Sequence, residues 1–192
     1  NHVDYNQLQL PAVFHSKWEN FFCLNTLNIT NLFSIMYPNM HIKLIDTEEE
    51  LSFCRQIRRE VFCEEQKVNP KAEFDGFDNE SQHFLCVSAN IPVGTGRLRK
   101  ISPTEYKIER MAVILNNRHH GIGSKLIKAI IVEWEMKPEL NKKLVLHSQM
   151  QAKNFYEKEG FLEEGTSFIE EGIKHIKMIL DLQLRKELKT HE

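Results

Sequence analysis

No Cys-x-x-Cys pair occurs in this 192-residue chain, and none of its four cysteines, Cys23, Cys54, Cys63 and Cys86, has a histidine at metal-ligand spacing. Zinc-finger and thioredoxin-like readings are therefore excluded, and no metal is expected. Cys54 and Cys63 fall in a helical pattern and Cys86 in a strand pattern, where a free thiol behaves as a small buried apolar group. That suits a reducing, cytoplasmic setting. Neither sign of charge dominates: 25 Lys+Arg against 27 Asp+Glu leave −2, so no nucleic-acid partner is signalled. Long apolar runs are missing too. The nearest, "FFCLNTLNITNLFSIMY", is broken by Asn25, Asn28 and Asn31, which makes it too polar for a membrane span. It also lacks the basic start of a signal peptide, so no membrane partner is expected. The Asn-x-Ser/Thr triplets at Asn28 and Asn79 then have no secretory route to make them meaningful. Internal repeats and low-complexity tracts are absent, as are the Walker GxxxxGK[ST] and Rossmann GxGxxG patterns.

What is present is an ordinary globular composition, 41% hydrophobic and 27% charged, in a length that suits one domain. Residues 1–39 read as an extension or arm, partly helical, and clean alternating elements begin at Met40. "MHIKLI" alternates as a strand. Thr47 and Glu50 form a capping box that opens a helix with Leu51, Cys54, Ile57, Val61 and Phe62 on its apolar face. "VNPKAEFDGFDNES" is rich in turn formers and reads as a polar loop. Two strands around an "NIP" turn, a third strand "EYKIERMAVI", a helix stopped by Pro138, a strand "KKLVLHS", a short helix ended by Gly160 and two closing strands complete the series. "RKELKTHE", residues 184–192 included, is a charged tail. The order β-α-β-β-β-α-β-α-β-β implies an α/β (α+β) domain over residues 40–183, a mixed sheet with helices on its faces.

Between the third β strand of that run and the next helix lies "NNRHHGIGSKL". Gly121 and Gly123 let an anion approach the main chain, the helix N-terminus favours negative charge, Arg118 adds a cation and Ser124 a hydroxyl. Taken alone, Arg118-x-x-Gly-x-Gly fits an anion cradle and an ordinary glycine-containing loop equally well. His119 and His120 are adjacent and point apart, so they do not make a metal site.

Two further segments, "ERMAV" before the loop and "AKNFYEKEGF" about thirty residues after it, complete a pattern. Together the three resemble the acetyl-CoA site of the GNAT acetyltransferase superfamily, from Met40 to Leu180. "RREVFCEEQ", the E-x-D-x-x-D-x-x-x-x-H run of Glu73, Asp75, Asp78 and His83, "LHSQMQAKNFYEKEGF" and "GIKHIKM" also resemble its ElaA-like branch. The resemblance implies a GNAT fold with a mostly antiparallel sheet of six to seven strands. It implies coenzyme A contacts from Met111, Ala112 and Val113 on the fourth strand and from Arg118, His119, His120, Gly121, Ile122, Gly123 and Ser124. Gln149 stands where many relatives carry asparagine, and Asn154 is an alternative for that contact.

For chemistry, the resemblance implies the Met111 N–H as donor to the thioester oxygen and Tyr156 as general acid. The base is open among Glu109, His147, His175 and water. Arg58, Arg59, Glu65, Gln66, Asp75, Asp78, His83, Arg97 and His175 are acceptor-pocket candidates, with most of the charges read as a solvated face. The expected reaction moves an acetyl group from acetyl-CoA to a small-molecule primary amine. Arginines beside the pocket suggest an amino-sugar phosphate such as glucosamine 6-phosphate; polyamines, amino acids and protein amines are alternatives. A non-catalytic acyl-CoA sensor is the rival class. A homodimer is one reading of the 1–39 arm.

Overall fold

The computed structural model describes residues 40–181, so the expected arm and the charged tail lie outside the described residues. Strand β1, His41–Leu44, leads to helix α1, Glu48–Arg58. Thr47 Oγ1 accepts from the Glu50 N–H at 3.2 Å, half of the expected capping box. The other half is displaced by one residue: the Glu50 carboxylate accepts from the Asp46 N–H rather than from that of Thr47. Beyond Arg58 the chain does not continue as α-helix but widens into a π-helical stretch, Arg59–Glu65, which still buries Val61. The polar loop that follows contains a short helix α2, Pro70–Glu73, because Asn69 caps the Lys71 N–H at 2.9 Å and Pro70 needs no N–H partner.

Strands β2 (Gln82–Ser88), β3 (Ile91–Lys100) and β4 (Glu105–Val113) follow as a meander. The β2–β3 turn is Ala89–Asn90, both at positive φ, so Ile91 and Pro92 open β3 instead of forming the turn. Helix α3, Ile122–Glu135, carries the chain across to β5, Lys143–Gln149. Helix α4, Lys153–Lys158, and the hairpin β6 (Leu162–Glu170) and β7 (Ile173–Asp181) finish the described chain.

The seven strands form one sheet in the order β1-β2-β3-β4-β5-β7-β6. Only β4 and β5 pair parallel, as a crossover through α3 requires. Strand alternation sends Leu85 and Ala112 to one face, against Leu51, Cys54, Ile57 and Val61 of the α1 segment. Phe84, Cys86 and Ile108 face the other way, against Leu126, Ile127, Ile130, Ile131 and Trp134 of α3. Each such buried side chain contributes about 1.5–3 kcal/mol. Both faces are thus covered, as a mixed sheet with helices on its faces demands. No helix among the described residues is long and apolar enough to cross a membrane.

One irregularity positions everything that follows. The β4–β5 pairing covers only Glu105 to Ile108 against Lys143 to Leu146, and then the strands part. At the same point β4 bulges: its register against β3 shifts, and Arg110 takes a left-handed φ of 55°. Beyond Ile108, β4 has no β5 partner.

Candidate active site

A cavity of about 210 Å3 opens where the two strands part. Lys107, Glu109, Arg110 and Met111 of β4 line one wall, His147 and Gln149 of β5 another. The π-helical segment supplies Phe62 and Gln66 nearby, α4 supplies Tyr156, and the closing hairpin supplies Glu170, Glu171 and His175. Of the expected residues, the structure therefore brings together Glu109, Met111, His147, Gln149, Tyr156, Gln66 and His175.

Tyr156 is nine-tenths buried, its ring set edge-on to Phe155 (4.9 Å) and Phe161 (6.0 Å). Burial pushes its phenol well above the ordinary value, so the hydroxyl keeps its proton at any physiological pH. Glu109 is different. Burial would raise it, but hydrogen bonds from Arg99, with the charges of Arg97 and Lys107, outweigh that and hold its carboxyl at about 2. A carboxylate so stabilised is a poor proton acceptor, so its surroundings argue against the base role expected for it. His147 accepts or donates at Nδ1 to Glu170 Oε2, 3.1 Å away, and His175 Nδ1 lies 2.8 Å from the Ile173 carbonyl.

Other candidates do not reach the cavity. Arg58 and Arg97 are fully buried, because they are the cations of an internal ion network. Arg58 donates to Glu73 at 2.5 Å and Asp78 at 2.7 Å. Arg97 reaches Asp75 bidentately at 2.9 and 2.6 Å, Asp78 at 3.0 Å and Glu109 at 2.8 Å. His83, also buried, has Nε2 at 2.9 Å from the Asp78 carbonyl and must donate to it. Arg59 is exposed and lies over the Phe74 ring. These four, expected at the acceptor, instead brace the scaffold, and so does the Glu73, Asp75, Asp78, His83 run.

That brace has a target. Arg110, at the strained bulge residue, donates to the Ala72 and Glu73 carbonyls (3.0 and 3.2 Å) and to Asp75 (2.8 Å). A left-handed non-glycine residue costs on the order of 1–3 kcal/mol, and these bonds hold it there. Met111 follows directly and faces the cavity.

The glycine loop lies at the N-terminus of α3. Gly121 is its N-cap at φ 72°, with no side-chain cap, and a Cβ there would meet nothing within 4 Å. The first N–H groups of α3 are thus left for an anion. A Cβ on Gly123 would stand 3.3 Å from the Phe155 ring, so this glycine serves close packing of α3 on α4. Ile122 is buried in the core, leaving only its main chain for a ligand. His119 takes φ 64° and is exposed, and His120 is half-buried beside it. Ser124 donates at 2.5 Å to Glu159, so its hydroxyl is engaged away from the loop. Arg118 is held by Glu65 and by the Val113 carbonyl at 2.9 Å. Asn154 is exposed on α4 and off the cavity, whereas Gln149 donates to Gln66 at 2.9 Å across it. Sequence reading passed over Lys107, Glu170 and Glu171. Their only signal was strand alternation, which places Lys107 on the Glu109 face, and the hairpin register.

Comparisons with known proteins agree with this geometry. Residues 46–182 match the family model described as "Acetyltransferase (GNAT) domain". YyaT of Bacillus subtilis (strain 168), an uncharacterized protein, is 39% identical over 146 residues, 74% of this chain and 97% of that one. The uncharacterized N-acetyltransferase YjcF of the same organism is 34% identical over 144 residues, 74% of this chain and 100% of that one. Among solved structures, Escherichia coli ElaA superposes with a TM-score of 0.64 at 25% identity, covering 73% of this chain and 98% of its own. A GNAT acetyltransferase from Elizabethkingia anophelis, solved with acetyl-CoA bound, gives 0.59 at 19% identity, over 76% and 99%. A sheet that parts between β4 and β5, an uncapped glycine-led helix beside it and a family match over most of the described residues lead to one assignment: the chain belongs to the GNAT family of acetyltransferases.

Proposed function

We propose that the chain acetylates the primary amine of a small molecule by direct attack in a ternary complex. The observation that carries this is the unpaired stretch of β4, Glu109 to Val113, opening on a cavity that also holds Tyr156 and an imidazole. Acetyl-CoA, the donor in this family, supplies an activated thioester. The residues present fit it: Gly121 leaves an open approach to the uncapped N–H groups of α3, and Arg118 stands beside them. The Met111 N–H is the donor for the developing carbonyl oxygen, positioned by the bulge at Arg110. His147 takes the proton from the amine nitrogen. Tyr156, kept protonated by burial, donates to the departing sulfur.

The acceptor follows from charge. An amino-sugar phosphate such as glucosamine 6-phosphate rested on arginines beside the pocket, but Arg58, Arg97 and Arg110 already answer to Glu73, Asp75, Asp78 and Glu109. Glu170 and Glu171 on the cavity wall favour a cationic amine without a phosphate, of the polyamine kind. Free thiol released from acetyl-CoA, measured across polyamines, amino acids and glucosamine 6-phosphate, tests both points. Amine-dependent turnover lost in Tyr156→Phe supports the enzyme. Coenzyme A binding with no turnover on any amine overturns it in favour of an acyl-CoA sensor. The solution mass of the chain with and without residues 1–39 tests the homodimer.

A further inference from the structure

We propose that Glu170 is a positioning residue for His147, holding the imidazole ready to accept the proton of the attacking amine. The inference deepens the acetyl-transfer reading and rests on it for its kinetic half only. Glu170, the last residue of β6, reaches across β7 to a histidine 23 positions earlier, with Oε2 3.1 Å from Nδ1. That hydrogen bond is the main reason its carboxyl titrates below the ordinary value. An ionised carboxylate only accepts, so Nδ1 carries the hydrogen and the neutral ring keeps its lone pair at Nε2. Phe168, edge-on at 4.8 Å, fixes the ring plane from the other side.

The place is as telling as the pairing. His147 is the first β5 residue past Leu146, where pairing with β4 ends, so it stands at the mouth of the parted strands. The alternatives are weaker in kind. Glu109 is neutralised by Arg97, Arg99 and Lys107. His175 has its Nδ1 on the neutral Ile173 carbonyl, which orients the ring but adds no charge. A carboxylate does both: it fixes the tautomer and stabilises the imidazolium formed during transfer. The proton balance closes. An N–H bond of the acceptor breaks as Nε2–H forms, the Tyr156 O–H proton passes to sulfur, and exchange with water restores both side chains.

The test is the ring 15N spectrum of the full chain, in wild type, Glu170→Ala and Glu170→Gln. The expected result is an Nδ1–H, bare-Nε2 tautomer at His147 that is lost in Glu170→Ala and kept in Glu170→Gln, whose carbonyl oxygen still accepts. His175 is the internal control and stays unchanged. A His147 proton on Nε2 in wild type, or a tautomer indifferent to Glu170→Ala, overturns the proposal without reference to activity. In kinetics, Glu170→Ala lowers kcat at least about tenfold with KM for acetyl-CoA nearly unchanged, and adds nothing in a His147→Ala background. An undiminished loss in that background likewise overturns it. The tautomer response in a chain that acetylates no amine would instead overturn the acetyl-transfer reading.

Discussion

Glu65 grips Arg118 by two parallel hydrogen bonds, 2.7 and 2.5 Å long, across 53 residues of sequence. The pair joins the end of the π-helical segment to the glycine loop, and it puts a carboxylate where a pyrophosphate would compete for the same guanidinium. Removing the competitor therefore tightens the donor's binding. Glu65→Gln is expected to improve coenzyme A affinity several-fold by calorimetry, and Arg118→Ala to weaken it about tenfold. An unchanged dissociation constant in both variants would mean that Arg118 never turns to the ligand.

Tyr156 offers a cleaner separation of chemistry from folding. No described residue hydrogen-bonds its hydroxyl, while its ring packs between Phe155 and Phe161. Tyr156→Phe should leave the urea midpoint within experimental error and lower kcat about 100-fold. A large fall in stability with unchanged kcat would make the ring a core residue and nothing more.

The ion network makes a stability prediction of the opposite kind. Arg58 is wholly buried, and deleting it strands the charges of Glu73 and Asp78. Arg58→Ala is expected to cost about 3–5 kcal/mol, a large share of the 5–15 kcal/mol typical of a domain. Equilibrium urea unfolding measures it. A loss under about 1 kcal/mol would show that water reaches the site and screens the carboxylates.

Acid should act through the same groups. The Arg58, Arg55 and Arg97 bonds overcome burial to hold Asp78 at about 2, against an ordinary 3.8, and Glu109 also lies at about 2, against 4.5. Folded values below unfolded ones mean the unfolded chain takes protons first. The stabilisation is complete above about pH 4.5 and is lost as pH falls toward 2. Glu73, which burial raises, works against this trend, and Asp75, held low by Arg97 and Arg110 despite its own burial, reinforces it. Urea midpoints followed through that window should fall steeply in wild type and less steeply in Glu109→Gln. A flat profile would refute the coupling.

Much of the fold was legible because it follows from periods. Leu51, Cys54 and Ile57 keep helical spacing, and "HFLCVSA" sends alternate residues to opposite helices. Main-chain features of the site were legible for a similar reason, since glycines before a helix announce themselves. Charged side chains were not. Arg97 and Arg99 share a face of β3 by simple alternation, yet only the folded register shows that Glu109 lies opposite and absorbs both. A linear reading counts such arginines as available to a ligand. Glu170 escaped because its partner lies two strands away in the sheet order.

The wide turn at Arg59–Glu65 has a consequence for how this chain tolerates change in length. A π-helical stretch accommodates one residue more per turn than its α-helical flank. Deleting a single residue there would let the segment rewind as ordinary helix and swing Glu65 and Gln66 around the axis by about 100°. Glu65 would leave Arg118 and Gln66 would leave Gln149, cutting both ties between the first helix and the donor side of the cleft in one step. The same deletion in the exposed turn at Glu171–Gly172 would only shorten a hairpin.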